Sequence, residues 1–446
     1  MKKVKFKKII LGLILGCIAL ICCIFLYYFR YRFIPLISIG NEDHIEISDL
    51  EVYANKLSFS AQEDIEFYVK SNSNGTGYLI HNESTKVDSF EFSSKTYPFN
   101  KTESANGCSW LVSGKITPNK PLQPGYYTLV AETEKDTSKF HFIIENRKKA
   151  KIAVLAPTST WVAYNDWGGQ SLYINNFEKK TTYFVSSKRP NPKQDVRVER
   201  HSTNYFLEHY NAILLPDYAL EYDMELLKTV DVIVLNHHAE YFTETMYNHL
   251  QQLIEKHNIS LISLGGNQMY WKTKWNADYS QMECRKDLTS FYGNILDYGG
   301  MWRHHLNKAE HNILGVQFTD AGMHSYAPYE VLEPKHWIFE GLDLKKGDLF
   351  GYHGIDSFPL SGDETDKMVK QTPNMTLLAK GLNCSVKNPV KGFDDNCKEN
   401  NGADFIYKAL NGNSILSTGS IQSGSGLGVD PVFTKMIENY LKKEID

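Results

Sequence analysis

The sequence predicts an α+β multidomain protein with an N-terminal transmembrane helix, a β-sandwich and a doubly wound α/β domain. Three observations lead to this fold class: an apolar run near the N-terminus, a stretch of short β-rich segments, and a longer stretch in which strand-like and helix-like segments alternate. The 446 residues suffice for two or three domains, and 42% hydrophobic against 22% charged residues exclude a disordered chain. The predicted boundaries are 1–35 for the cytoplasmic tail and anchor, 45–147 for the sandwich and 150–446 for the α/β domain.

The apolar run covers residues 9–29. As a helix it would span about 30 Å, which matches the hydrocarbon core of a bilayer. Five lysines precede the run and two arginines follow it, so the short N-terminus is expected to stay in the cytoplasm. We therefore expect a single-pass membrane protein whose other domains lie outside the cytoplasm, extracellular or periplasmic. A cleaved signal peptide is the alternative interpretation of the same run.

Composition excludes one class of partner and suggests a disulfide framework. The net charge of −4 argues against a nucleic-acid binder, which would carry a basic surplus. Four cysteines lie outside the apolar run, an even number in a predicted oxidising compartment. Cys384 and Cys397 bracket a polar loop and are predicted to pair, which leaves Cys108 and Cys284 as the other pair.

Short β-rich segments separated by turn residues follow the apolar run. Such regular short strands are typical of an Ig-like β-sandwich of about 100 residues. The predicted strands are 65–69, 77–80, 110–116, 126–132 and 140–144.

From residue 151 onwards, predicted buried strands alternate with predicted helices. Alternation of this kind favours a mainly parallel sheet, with ligands at the carboxyl ends of its strands. The predicted strands are 151–156, 230–235, 261–264 and 414–416, and the predicted helices are 243–256 and 431–443.

Polar and aromatic side chains follow three of these strands. Tyr164 lies in the loop after the first strand, His238 and Glu240 follow the second, and Asn267 follows the third. A histidine and a carboxylate two residues apart at a strand end could bind a metal or transfer protons, and the asparagine could donate to an anion or carbonyl. Each loop by itself could also be an ordinary strand-to-helix connection whose aromatic residues only pack.

The motifs in these loops carry a resemblance to a known family. They read AYNDWGGQSLY at 163–173, HAEY at 238–241 and GGNQMYW at 265–271, with GYY at 125–127 upstream and TGSI at 418–421 downstream. With them the chain resembles the family of the large (beta) subunit of N,N-dimethylformamidase, in its C-terminal region. The resemblance implies an α/β domain similar to class I glutamine amidotransferases behind the sandwich.

The resemblance also implies a chemistry, namely hydrolysis of a small amide at a mononuclear, ferric iron held by two tyrosinates and one glutamate. Carried over by motif, Tyr127, Tyr164 and Glu240 would be the metal ligands, with His238 and Asn267 as catalytic residues beside them. Phenolate and carboxylate oxygens are hard donors that suit ferric iron.

One feature departs from the family pattern. The family's further functional glutamate lies in a segment similar to 351–356, and this chain has no glutamate there. The sequence therefore leaves two functions open: a membrane-anchored, iron-dependent amide hydrolase, or a non-catalytic cell-surface binding protein that keeps the fold. A homo-oligomer or a small partner subunit is also compatible with the resemblance.

Overall fold

The computed structural model describes residues 47–178, 181–287, 289–291, 297–383 and 402–445. The apolar run at 9–29, on which the predicted anchor rests, lies outside these ranges. The longest helix within them has 15 residues, and none of the described helices is long and apolar enough to cross a bilayer, which needs about 20 apolar residues. The predicted single-pass membrane placement, with domains outside the cytoplasm, is therefore corrected: no described helix can carry it.

The first part of the described chain forms two sheets. Its strands are β1 (Leu50–Ala54), β2 (Ser58–Phe59), β3 (Ile65–Ser71), β4 (Gly75–His81), β5 (Thr85–Phe92), β6 (Gly114–Ile116), β7 (Gly125–Glu132) and β8 (Thr137–Ile144). One sheet has the order β1-β3-β6 and the other β2-β8-β7-β4-β5, and only the β2–β8 pair is parallel. Buried side chains alternate along β3, and β1 packs on β7 and β8, so apolar residues of both sheets share one core.

The rest of the described chain is built around a nine-stranded sheet. Its strands and those of the smaller sheets are β9 (Ile152–Ala156), β10 (Phe184–Ser186), β11 (Ile213–Pro216), β12 (Val232–His237), β13 (Tyr241–Thr243), β14 (Ser260–Gly265), β15 (Trp271–Trp275), β16 (Gln281–Cys284), β17 (Val316–Thr319), β18 (Tyr326–Ala327), β19 (Tyr329–Val331), β20 (Leu349–Phe350), β21 (Ser361–Gly362), β22 (Thr365–Met368), β23 (Met375–Gly381), β24 (Asp404–Ala409) and β25 (Ser414–Ser417). The nine-stranded sheet has the order β11-β9-β12-β14-β25-β24-β23-β19-β20. A second sheet has the order β10-β16-β15-β13, and β17 with β22 and β18 with β21 form two-stranded sheets.

The nine-stranded sheet corrects the predicted fold class. Strands β11, β9, β12, β14 and β25 are parallel, as expected, but β24, β23, β19 and β20 extend the sheet with antiparallel pairs. Antiparallel neighbours can be joined without a crossover helix, so this half does not wind helices over both faces as a doubly wound domain does. The similarity to class I glutamine amidotransferases is therefore wrong. The predicted anchor, Ig-like sandwich and doubly wound domain are replaced by a mixed α/β architecture of many sheets, richer in strand than in helix.

Helices in the described ranges are mostly short. The α-helices are Glu103–Asn106, Thr158–Tyr164, Arg197–Tyr210, Ala219–Tyr222, Met224–Leu227, Glu244–His257, Trp302–His305, Glu310–Leu314 and Pro431–Ile445, and the 3₁₀-helices are Trp167–Gly169, Trp337–Phe339 and Ile421–Gly426.

The predicted helices at 243–256 and 431–443 are confirmed, since the structure has helices at Glu244–His257 and Pro431–Ile445. Each has an apolar face that packs into the core. Thr243 caps the helix Glu244–His257: its hydroxyl oxygen accepts a hydrogen bond from the Met246 backbone amide at 3.2 Å. The buried strands at 151–156, 230–235, 261–264 and 414–416 are likewise confirmed within one or two residues. The predicted strand at 110–116 is reduced to β6. No finding tests the domain boundaries 45–147 and 150–446, which stay a prediction.

One of the two predicted disulfides lies within the described ranges. Cys108 and Cys284 are both free thiols, so their predicted pairing is wrong. Cys108 lies near the N-terminal sheets, whereas Cys284 ends β16. Cys384 and Cys397 lie outside the described residues.

Candidate active site

The carboxyl ends of β9, β12 and β14 bring the three predicted loops together. The helix Thr158–Tyr164 follows β9, and the HAEY and GGN motifs follow β12 and β14. In the parallel register His237 lies opposite Gly265, so the two motifs begin side by side. Because carboxyl ends of adjacent parallel strands meet at one edge of a sheet, side chains from all three loops share one site.

His238 lies at the centre of this site. Its Nε2 atom is 3.2 Å from the Tyr164 hydroxyl, 3.3 Å from Glu240 Oε2 and 3.9 Å from Glu364 Oε2. Its Nδ1 lies 3.1 Å from the carbonyl oxygen of Gly266, to which an Nδ1–H donates. This bond fixes the ring, so Nε2 faces the tyrosine and the two carboxylates.

Tyr173, the last residue of the first motif, also belongs to the site. Its hydroxyl donates to Glu240 Oε1 at 2.6 Å and lies 3.3 Å from the Tyr164 hydroxyl. Glu240 is only 1% exposed, and its Oε2 atom makes no hydrogen bond although His238 is near. The sequence motif includes Tyr173, but sequence reasoning assigned it no role. Its position at the end of that motif was the available signal.

Tyr127 lies elsewhere. It is buried in β7, its hydroxyl donates to the Gln123 carbonyl at 2.9 Å, and its ring stacks between His81 and Phe142. Within the described part of the chain, none of its contacts reaches the site around His238. Its neighbour Tyr126 points the other way, with its ring 5.9 Å from Trp161 of the helix Thr158–Tyr164. Successive side chains of a strand face opposite sides of the sheet, so Tyr126 and Tyr127 cannot both point toward the same site.

Glu364 is a second site residue that sequence reasoning missed. Asn267 donates from Nδ2 to Glu364 Oε2 at 2.7 Å, and its backbone amide donates to Asp366 Oδ1 at 2.8 Å. Segment 351–356, where a glutamate was expected, lacks one, but Glu364 follows a few residues later, between β21 and β22. The β17–β22 and β18–β21 pairings hold this segment in place. These pairings join residues far apart in the chain, so no local sequence pattern predicts them.

Lys286 supplies a buried positive charge behind the site. Its ammonium donates to the Tyr241 hydroxyl at 2.9 Å and lies 3.3 Å from the centre of the Tyr173 ring. Burial lowers the pKa of Lys286 to about 8, an effect that the Glu240 carboxylate opposes. A lysine enclosed by aromatic rings beside carboxylates keeps much of its charge by cation–π and ionic attraction.

The charges of the site are coupled. Burial would lower the pKa of His238, but Glu364 and Glu240 outweigh it and raise that pKa to about 9. Burial would likewise raise the pKa of Glu240, but His238 and Lys286 hold it below its ordinary value. Burial raises the pKa of Glu364, with His238 opposing the change. At neutral pH the site therefore contains an imidazolium that can give up a proton and a glutamate of raised basicity.

The donor atoms restrict which metal the site can hold. Among the described residues, no three His, Cys, Asp or Glu side chains are grouped so as to hold a metal ion. A metal here would instead need phenolic oxygens, and Tyr164, Tyr173 and Glu240 bring two of these and a carboxylate into contact. The free, buried Glu240 Oε2 fits a hard cation.

A cavity opens beside the reactive groups. It has a volume of about 330 Å³, and Tyr164 and His238 form part of its wall together with Trp161 and Glu199. Tyr164 is 43% exposed, while its hydroxyl points to His238 and Tyr173. A small organic ligand in this cavity would therefore touch Tyr164 and His238.

Comparison with known families shows to which family this chain belongs. A family model described as N,N-dimethylformamidase beta subunit-like, C-terminal, matches residues 72–439. The chain belongs to this family. Membership in the N,N-dimethylformamidase beta subunit-like family confirms the resemblance and supports a hydrolase. The description names a beta subunit, which is consistent with a partner subunit.

Comparison with individual proteins adds little to the family assignment. No curated protein matches the chain. Among solved structures, β-glucuronidases of Parabacteroides merdae (11% identity, 49% of this chain and 24% of that chain, TM-score 0.17) and Bifidobacterium dentium (14%, 48% and 30%, TM-score 0.18) are similar over part of their length. The chain thus spans about a quarter of the length of the first of these. TM-scores this low carry no argument about fold or function.

Proposed function

We propose that this member of the N,N-dimethylformamidase beta subunit-like family is an iron-dependent hydrolase of the C–N bond of a small amide. The observation that carries the proposal is the convergence of two phenols, two carboxylates and one imidazole at the carboxyl edge of a parallel sheet. Structural ion pairs seldom gather so many groups around one histidine, whereas hydrolytic sites need a proton donor and a proton acceptor close together.

Tyr164, Tyr173 and Glu240 are the proposed ligands of the iron. Tyr173 takes the place that the family resemblance gave to Tyr127, because the Tyr173 hydroxyl touches both Tyr164 and Glu240, whereas Tyr127 is bound to Gln123. Burial and the Glu240 charge raise the pKa of Tyr173, so its phenol holds the proton that a bound metal would have to replace. Bound ferric iron would supply Lewis acidity toward an amide carbonyl.

The remaining residues handle the protons of the reaction. Glu364 accepts a proton from the attacking water, and the Asn267 amide, which donates to it at 2.7 Å, orients the carboxylate. The water oxygen bonds to the carbonyl carbon, the C–N bond breaks, and protonated His238 gives its Nε2 proton to the departing nitrogen. The Gly266 carbonyl holds the opposite ring nitrogen, which keeps Nε2 directed at the site. An acid and an amine result, and the atoms of one water are consumed.

The alternative, a non-catalytic binding protein that keeps the fold, drew on the glutamate missing from 351–356. Glu364 beside His238 and Asn267 supplies a carboxylate of the kind that segment 351–356 lacks, which favours catalysis. A small partner subunit or a homo-oligomer remains part of the proposal, since the family description names a beta subunit.

Iron analysis and turnover together test the proposal. The protein purified from iron-containing medium is expected to carry iron, to show a visible tyrosinate–iron absorption band, and to hydrolyse members of a panel of simple amides. Tyr164→Phe and Glu240→Ala are expected to lose metal and band, whereas Tyr298→Phe, at a tyrosine that is exposed, is the matched control. Iron-free protein, or the same metal content in all variants, would contradict the metal site. Iron without any amide turnover would favour the binding protein.

A further inference from the structure

We propose that the cavity beside Tyr164 and His238 selects amides that carry a positively charged amine, and that Glu199 recognises this charge. The inference rests on the proposed function only for the amide end of the ligand. Its main evidence comes from Glu199, a residue of the cavity wall that the proposed reaction does not use.

Glu199 is a buried carboxylate without a counter-ion. It lies in the first turn of the helix Arg197–Tyr210, is 1% exposed, and forms part of the cavity wall. Its Oε1 atom has no hydrogen-bond partner, and no ion pair of Glu199 is present among the described residues. Buried carboxylates are ordinarily paired, because burying an unpaired charge costs several kcal/mol. Such a residue at a cavity indicates a partner that arrives with the ligand.

Other charged side chains at the cavity are already matched. Lys193 lies 3.1 Å from Asp166, and Asp195 of the cavity wall lies 2.6 Å from Arg197. His238 faces Glu240 and Glu364. Lys193 and Arg197 are therefore not available to Glu199. Arg200, whose charge opposes the rise in the Glu199 pKa, is paired with Glu83 at 2.6 Å and forms no ion pair with Glu199.

The pKa of Glu199 agrees with this view. Burial raises it well above its ordinary value, an effect that the neighbouring Trp161 indole opposes. Burial thus disfavours the ionised form of Glu199 in the free protein. An ammonium group in the cavity would favour the ionised carboxylate and occupy the free oxygen.

Aromatic rings complete a site for a cation. Trp161 and Tyr164 both line the cavity, and Tyr164 is among the more exposed tyrosines of the described chain. Ammonium groups are attracted to the faces of such rings, and a carboxylate beside them adds an ionic hydrogen bond. A ligand with an amide at one end and an amine at the other would therefore be able to contact both His238 and Glu199.

A pair of isosteric ligands tests this selection by binding alone. 4-Aminobutanamide and pentanamide have the same chain length, and at neutral pH only the first carries an ammonium group. Isothermal titration calorimetry on the purified full chain is expected to show at least tenfold tighter binding of 4-aminobutanamide, a difference of about 1.4 kcal/mol. Glu199→Gln, which keeps the side-chain volume, is expected to abolish that difference while leaving pentanamide binding unchanged. Glu208→Gln, an exposed position of the same helix, is the charge-matched control.

Each outcome has a definite meaning. Equal binding of the two ligands to the wild-type chain, binding of neither, or a preference that survives in Glu199→Gln would overturn the inference. The wild-type comparison needs no variant, so a folding defect of Glu199→Gln would not leave the question open. Turnover is measured separately: a preference for the ammonium ligand without hydrolysis of any amide would refute the proposed function and leave the recognition role of Glu199 standing.

Discussion

Removal of the Tyr173 hydroxyl distinguishes the proposed ligand set from the one carried over by motif. In Tyr173→Phe the ring, and with it the contact to Lys286, can remain in place, so the change is confined to one oxygen atom. Tyr127→Phe removes an equivalent oxygen from another buried tyrosine and is the matched control. We expect the first variant to lose most of its iron and the visible band, and the second to keep both.

The structure also indicates how much each substitution should lower the free energy of unfolding of the metal-free protein. The Tyr173 hydroxyl donates to Glu240 at 2.6 Å, and an ionised, buried acceptor makes such a bond worth about 2 kcal/mol. The Tyr127 hydroxyl donates to a neutral carbonyl at 2.9 Å, a bond worth about 1 kcal/mol. Tyr173→Phe should therefore lower the free energy of unfolding about twice as much as Tyr127→Phe.

Two measurements decide the comparison. Elemental analysis and absorption spectroscopy report the metal, and urea unfolding of chelator-treated protein reports the free energy. If Tyr173→Phe keeps its iron and an unchanged band, or if Tyr127→Phe loses them, the assignment of Tyr173 as a ligand is refuted. If both variants unfold alike in the absence of metal, the charged hydrogen bond to Glu240 is refuted.

Three further predictions concern proton transfer, pH and helix capping. Glu364→Gln should lower amide turnover about 100-fold at unchanged iron content, because it removes the proton acceptor; unchanged turnover would exclude that role. The folded-state pKa of His238, about 9, exceeds its ordinary 6.5, so its stabilising charge is fully present below pH 6.5 and lost as pH rises through 9. The difference in unfolding free energy between metal-free wild type and His238→Gln should shrink over that range, and a difference that grows instead would contradict it. Thr243→Ala should cost about 1 kcal/mol in urea unfolding, because the Met246 amide loses its cap; no loss would show that the cap is dispensable.

Sequence reasoning succeeded where the signal is local. The helix Glu244–His257 follows from an apolar face and a threonine cap, and β9, β12 and β14 from short apolar runs. Motifs placed after parallel strands must meet at one edge of the sheet, so the proximity of Tyr164, His238 and Glu240 follows from the sequence pattern alone.

The same reasoning failed where position depends on distant pairing. Whether Tyr126 or Tyr127 faced the α/β part depended on a one-residue phase in β7, and neither ring reaches His238 by any described contact. The apolar run at 9–29, which predicted a membrane helix, lies outside the described residues, and no helix within them can span a bilayer. The antiparallel strands β24, β23, β19 and β20 were not expected either, because short strands without crossover helices leave a weak pattern.

The sequence by itself determined the family, the helix and strand positions with strong periodicity, and three of the loops that form the site. Only the tertiary structure decided that Tyr173 and Glu364 join His238, that Tyr127 does not, and that Glu199 stands unpaired at the cavity wall. The physical reason is the range of the interactions. Caps and amphipathic faces involve residues a few positions apart, whereas Glu364 is brought near His238 only by pairings between strands that are far apart in the chain.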